Sequence, residues 1–167
     1  MVEPARVYLS LGSNINRQQN ITSALNSLAT HFGEVRISPV YESESVGFDG
    51  SPFYNLVALI HTTLGVGDLV DTLHAIEEAH GRTRQEKKFA SRTLDIDVLT
   101  YGELTGVVDG VELPRDEIEH HAFVLKPLVD MAPEELHPGL KISYRQLLAE
   151  RDLSEQKLHQ IPFQWPH

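Results

Sequence analysis

Apolar positions along the chain switch between a period of two and a helical period, and the switches mark out its elements. Arg6 to Leu11 (RVYLSL) alternates and stops at Gly12-Ser13-Asn14, which predicts a short strand followed by a turn. Ile21, Ala24, Leu25 and Leu28 form one helical stripe, with Asn16 placed to cap the helix and Gly33 to stop it. Val35 to Val46 is mostly extended, with Ile37, Val40 and Tyr41 as its apolar members, and Gly47 to Pro52 is a glycine-bearing loop. Phe53 to Thr63 (FYNLVALIHTT) is the strongest strand pattern in the chain. Asp68 is placed to cap a second helix whose Leu69, Leu73, Ile76 and Ala79 share a face, and Gly81 ends it. Residues 82–92 follow neither period and read as a long loop. Thr93 to Tyr101 (TLDIDVLTY) alternates cleanly as a strand. Val107 and Val108 fall in a weaker strand or turn, and residues 123–131 and 144–151 read as short helices.

The resulting order, β-α-β-β-α-β, is that of an α+β, ferredoxin-like split unit: a four-stranded antiparallel sheet with two helices on one face. No repeat, low-complexity tract or linker divides the 167 residues, so residues 1–167 are expected to form a single domain with a C-terminal extension. The sheet face away from the helices is expected to stay open and to carry any site. RNA-recognition domains share this topology, and fold alone does not decide chemistry.

Composition narrows the choice. The formal net charge of −10 disfavours nucleic acid and anionic membranes as partners. An RNA-binding sheet also needs basic and aromatic residues interleaved on its open face. The absence of cysteine excludes a disulfide framework, a thiolate zinc site and a cysteine nucleophile. No apolar run approaches the roughly 20 residues of a membrane-spanning helix. Met1 to Arg6 lacks signal-peptide character, so the cytoplasm is the expected compartment.

The chemistry concentrates in two neighbouring segments. In Asp95-Ile96-Asp97 the two carboxylates project from one face of a strand while Leu94, Ile96 and Val98 face the helices. A pair of carboxylates on the wet face of a strand is commonly no more than solvated surface. Oxygen-only ligands on a rigid strand also suit Mg²⁺, which keeps waters and shares its shell with phosphates. Just upstream, Arg82, Arg84, Lys87, Lys88 and Arg92 place five of the chain's 14 basic residues within eleven positions. With Glu86 the segment carries +4 in a chain of −10. A basic loop leading into an acidic pair is what a site for metal and phosphate requires. Neither G-x-x-x-x-G-K-[ST] nor G-x-G-x-x-G occurs. His74 and His80 are six apart and off one helical face, and the pair His120-His121 carries no metal signature. Phe53 and Asn55 share a strand face, so a ring and an amide stand together where a flat heterocycle could be stacked and bonded at its edge.

Assembled, these residues resemble the 6-hydroxymethyl-7,8-dihydropterin pyrophosphokinases of folate biosynthesis. The matching pieces run from Tyr8-Leu-Ser-Leu-Gly-Ser-Asn14 through Ser38-Pro-Val-Tyr-Glu-Ser43 with Val46-Gly47, and Phe53-Tyr-Asn55. Glu77 with Gly81-Arg82-Thr-Arg84 and Ser91-Arg-Thr-Leu-Asp-Ile-Asp97 follow, then Phe123-Val-Leu-Lys-Pro-Leu128 with Ala132-Pro133. R-T-L-D-I-D after G-R-x-R is the specific signal. The resemblance implies transfer of diphosphate from ATP to the pterin hydroxymethyl group with release of AMP. It implies two Mg²⁺ ions on Asp95 and Asp97, and phosphate held by Arg82 and Arg92 with Arg84 nearby. It places the pterin between Phe53 and Phe123, bonded by Asn55 and by the segment Ser43, Ser45 and Val46. Glu77 and Val98 are implied in the nucleotide pocket. The implied partners are small molecules, pterin and ATP, with neither nucleic acid nor membrane, and the chain is expected to act as a monomer.

Four positions depart from the family pattern. Arg115 stands where His is usual after Leu113-Pro114, and His120-His121-Ala122 replaces a segment that usually holds an Arg. Phe89-Ala90-Ser91 replaces a Trp-Gly-Pro run, and Ser45 replaces a proline. Arg115 and His121 are the cations expected to serve the nucleotide in their place. An alternative stays open at this point: a diverged pterin- or nucleotide-binding relative with weak or altered activity.

Overall fold

Alternation carries the first strand further than its sequence pattern suggests. The computed structural model describes residues 3–43, 52–81 and 94–165. In it β1 (Ala5–Ser13) continues through Gly12 and Ser13, which had read as a turn. Helix α1 (Arg17–Phe32) buries the expected stripe Ile21, Ala24, Leu25 and Leu28 and stops at Gly33, whose φ of 82° suits glycine. The expected side-chain cap is corrected: Asn16 occupies the N-cap position in a left-handed conformation without a capping bond. The extended stretch divides into β2 (Arg36–Ile37) and β3 (Val40–Ser43). Both pair with β4 (Phe53–Thr62), and Pro39, which has no N–H, marks the break. At the break Ser38 donates its N–H to the Val57 carbonyl, while its hydroxyl accepts the Val57 N–H, each at 2.9 Å.

Helix α2 (Val66–Ala79) starts after Gly65, so Asp68 lies in the first turn and not at the cap. Its buried face is Val66, Leu69, Leu73, Ile76 and Glu77, while Ala79 is exposed. The apolar period was right and its last member wrong, because the buried side chain near the end of the helix is a carboxyl. Strand β5 (Asp95–Tyr101) follows, then the hairpin β6 (Gly106–Val108) and β7 (Val111–Leu113). Helices α3 (Glu117–His120), α4 (Ala122–Met131) and α5 (Tyr144–Glu150) precede a final strand, β8 (Leu158–Ile161).

The sheet runs β5-β1-β4-β3-β8, antiparallel at every pairing, with β2 beside β4. This is the expected α+β, ferredoxin-like core, extended by β8. Val7, Leu9 and Leu11 of β1, Leu56, Ala58 and Ile60 of β4, and Ile96 and Val98 of β5 pack with α1 and α2. The opposite face is only partly open, which corrects the reading of it as bare. Tyr8, Val57, Leu59 and Leu99 meet Val124, Leu125 and Leu128 of α4 and Tyr144 and Leu147 of α5 in a second cluster. Between β1 and β5 the register slips by one: Leu9 faces Val98 and Tyr8 faces Thr100, leaving Leu99 as the extra residue. At the end of that face where β1 leaves the sheet and β5 enters it the side chains turn polar: Asp95, Asp97 and Phe53 are partly exposed, whereas Asn55, Tyr41 and Ser43 are buried.

Candidate active site

Register alone lines up a row of residues across four strands at this end. Asp95 lies opposite Gly12, Gly12 opposite Asn55, and Asn55 opposite Tyr41. Asp97 lies opposite Ser10, one step further along the face, and Phe53 opposite Ser43. Directly paired residues share a face, so the acidic pair, the amide and the ring stand on one surface, away from α1 and α2.

Gly12 is the reason the row fits together. A Cβ on Gly12 would stand 3.1 Å from Asn55 Oδ1 and 3.7 Å from Phe53 Cδ1. The bare backbone therefore leaves room for both side chains. Asn55 is fixed from the other side, where its Nδ2 donates to Ser43 Oγ at 2.6 Å. Tyr41 carries the row onto α4: its hydroxyl donates to Asp130 Oδ2, and Lys126 binds the other oxygen of that carboxylate. Burial, and then Asp130, push the Tyr41 hydroxyl far above the ordinary tyrosine range.

The acidic end has its own supports. The Asp97 side chain is 39% exposed, and Arg115 places a guanidinium nitrogen 3.9 Å from its Oδ1 and 3.1 Å from Glu117 Oε1. The Arg115 N–H donates to the Leu99 carbonyl at 2.8 Å, which ties this arginine to β5. Burial lowers the Arg115 pKa, but Asp97 and Glu117 outweigh that and raise it overall, so the guanidinium stays charged. Glu77, only 2% exposed, accepts the Ile96 N–H on Oε2 at 2.7 Å. That bond holds the residue between the two aspartates.

The aromatic side is completed by α4. Phe123 packs against the second cluster, and the His121 ring stacks on it with centroids 4.8 Å apart and planes at 27°. Thus Ser43, Phe53, Asn55, Asp95, Asp97 and Arg115 gather on or beside one face, with Phe123 and His121 at the start of α4. Val98 points the other way: it is 3% exposed among the core residues packed on α2, so it offers no side chain to this face. Arg82, Arg84, Arg92, Ser45 and Val46 lie outside the described residues. Gly12 and Tyr41 had no assigned role in the sequence reading. A glycine inside an alternating strand is the signal that could have marked Gly12.

Among the described residues no group of three or more His, Cys, Asp or Glu could hold a metal ion. The acidic pair supplies two carboxylates, an oxygen-only donor set. That donor set fits Mg²⁺ and does not fit a structural zinc. A cavity of about 440 Å³ opens elsewhere, lined in part by Arg6, Tyr8, Glu135, His137 and Tyr144, and none of the candidate residues borders it.

The chain is similar to known proteins of one enzyme family. The family model described as 7,8-dihydro-6-hydroxymethylpterin-pyrophosphokinase (HPPK) matches residues 8–133. A 2-amino-4-hydroxy-6-hydroxymethyldihydropteridine pyrophosphokinase of Pseudomonas aeruginosa is 39% identical over 134 residues, covering 77% of this chain and 82% of the relative. The protein of the same description from Porphyromonas gingivalis is 37% identical over 140 residues, covering 80% of this chain and 95% of the relative. The folic acid synthesis protein fol1 of Pneumocystis carinii is 33% identical over 158 residues, which are 91% of this chain and only 21% of that longer protein. Among solved structures, wild-type Plasmodium falciparum HPPK-DHPS shares the fold, with a TM-score of 0.68 at 16% identity, over 89% of this chain and 45% of that one. The chain is thus one of the pyrophosphokinases, enzymes that transfer diphosphate in folate biosynthesis. It belongs to the 7,8-dihydro-6-hydroxymethylpterin-pyrophosphokinase family.

Proposed function

We propose that the row Asp95–Gly12–Asn55–Tyr41 is where the two substrates of this enzyme meet, ATP over the acidic pair and 6-hydroxymethyl-7,8-dihydropterin over Asn55. The observation that carries this reading is the cross-strand register. Neighbouring strands are about 4.8 Å apart, so Asp95 and Asn55, two strands away, stand roughly 10 Å apart. A bicyclic ring whose amide edge meets Asn55 then directs its hydroxymethyl group toward the acidic pair. Phe53 and Phe123 would stack on the ring, and Ser43 holds Asn55 in place for it.

Asp95 and Asp97 would hold Mg²⁺ ions, which when bound neutralise phosphate charge and orient the transferring group. Arg115, which lies beside Asp97, would hold phosphate oxygens as a fixed cation. Arg82, Arg84 and Arg92 would add to this from the basic segment. His121 would border the nucleotide, and the buried Glu77 would act on it through β5. The working compartment we propose is the cytoplasm, and no described helix is long and apolar enough to cross a membrane.

The test is a product assay with 6-hydroxymethyl-7,8-dihydropterin, ATP and Mg²⁺. The wild-type chain releases AMP in step with pterin diphosphate. Asp97→Ala is expected to lower turnover by more than about 100-fold in a folded protein. A folded Asp97→Ala variant with wild-type turnover would sink the assignment of the acidic pair. Pterin and nucleotide binding without AMP release by the wild type would instead favour the non-catalytic relative.

A further inference from the structure

The end of the chain lies beyond residues 8–133, the part matched by the family model, yet it reaches the substrate side of the sheet. Strand β8 pairs with the whole of β3, Leu158 opposite Ser43 and Ile161 opposite Val40. Without it, β3 would be the sheet edge, bonded on one side only. Single-sided short strands fray and slip in register more readily than two-sided ones. From β8 the chain turns onto the helical layer. Phe163 and Trp165 pack against the core cluster that holds α1, and Trp165 Nε1–H donates to Asn26 Oδ1 of that helix at 2.9 Å.

We propose that residues 158–165 form a strap that positions β3 for the pterin, with Trp165 as its pin on α1. The proposal rests on the reading of Asn55 and Phe53 as pterin contacts. Its physical basis is the Ser43–Asn55 bond at 2.6 Å, which a small slip of β3 would break. Ser43 is the last residue of β3 and pairs with both Phe53 and Leu158, so the strap acts directly on the strand end that faces substrate. Three strands, β3, β4 and β1, separate β8 from Asp95 and Asp97 on β5. The strap should therefore govern pterin affinity and leave nucleotide affinity alone.

Binding and strap docking must favour each other equally, because coupling free energies are reciprocal. Two measurements on the full chain follow, both with Mg²⁺ and a non-transferable ATP analogue present. In titration calorimetry with 6-hydroxymethyl-7,8-dihydropterin, Trp165→Ala is expected to weaken pterin binding about tenfold, with affinity for the ATP analogue unchanged. Trp165→Phe, which keeps the packing but loses the indole N–H, should cost no more than about threefold. Asn26→Ala, which removes only the exposed bond partner, should cost about threefold and keeps the test available if Trp165→Ala does not fold. In hydrogen exchange, pterin should slow the amides of residues 158–161 beyond the level set by the nucleotide analogue.

A lower melting temperature for Trp165→Ala with unchanged pterin affinity would overturn the proposal and leave the strap a structural staple. Exchange at 158–161 that ignores pterin would overturn it as well. A wild-type chain that binds the nucleotide analogue but no pterin would instead overturn the pterin reading itself, and the strap's role with it.

Discussion

Gly12 shows how much a single hydrogen can decide. Its backbone lies between the acidic pair and the amide, and a methyl group there would press on Asn55 Oδ1 at 3.1 Å. Because Asn55 is bonded to Ser43 on its far side, it has little room to retreat. Gly12→Ala should therefore raise the Michaelis constant for pterin several-fold and leave that for ATP nearly unchanged. Alanine in a strand interior is worth up to about 1 kcal/mol more than glycine, which offsets part of the crowding, so stability should fall by no more than about 2 kcal/mol. Steady-state kinetics beside a melting curve would check both halves. Equal rises for both substrates would place the crowding elsewhere than at Asn55. At this scale Asp95 and Asp97 were legible in T-L-D-I-D-V, because a period of two is visible in any strand. Gly12 was not, because its meaning depends on which residue faces it across the sheet.

At the scale of elements, α2 and β5 form one working unit. Among the described residues strand β5 is the sheet edge and pairs with β1 alone, so alternate N–H groups point away from that pairing. The N–H of Ile96 is bonded by Glu77 from α2 at 2.7 Å. Since Ile96 sits between the two aspartates, the helix helps set their spacing. Glu77→Ala leaves that buried donor without its acceptor, a loss of about 1–3 kcal/mol. Glu77→Gln keeps an acceptor oxygen and should recover most of the stability. Melting curves with a parallel Mn²⁺ titration would test the link. The alanine variant should bind the metal more weakly as well as melt earlier, whereas metal binding unchanged in a destabilised variant would limit Glu77 to holding the edge strand. The amphipathic pattern of α2 was readable apart from its last position. A buried carboxyl looks like a surface residue until its hydrogen-bond partner, nineteen positions away, is known.

For the whole molecule, one buried histidine links stability to pH. His137 is 3% exposed, and its Nδ1 accepts the N–H groups of Gly139 and Leu140 at 3.1 and 3.0 Å. A neutral ring that accepts at Nδ1 carries its proton on Nε2. Burial lowers the pKa of His137 below the ordinary histidine value, with Glu119 opposing and Arg151 adding to a smaller extent. The folded chain thus binds fewer protons here than the unfolded chain just below a pH of about 6.5. The stability this group contributes is present above that pH and is lost as pH falls through the folded pKa. The melting temperature of the wild type should therefore drop more steeply between about pH 7 and pH 5.5 than that of His137→Asn, whose amide oxygen can accept the same two N–H groups. Parallel slopes would remove His137 as the source.

Local patterns alone determined most of the elements, the ferredoxin-like order and the acidic pair, because periodicity and turn residues act between near neighbours. The family resemblance also lay in the chain itself, in G-R-x-R followed by R-T-L-D-I-D. Tertiary structure decided the rest. An apolar helix such as α4 carries no sign of which sheet face it covers, so the second cluster was not readable. Likewise nothing in L-H-Q-I announces a strand that seeks out β3 more than a hundred residues away. Cross-strand register, not composition, brings Asp95, Gly12, Asn55 and Tyr41 into one row, because contacts between distant segments are set by the packing of the whole core.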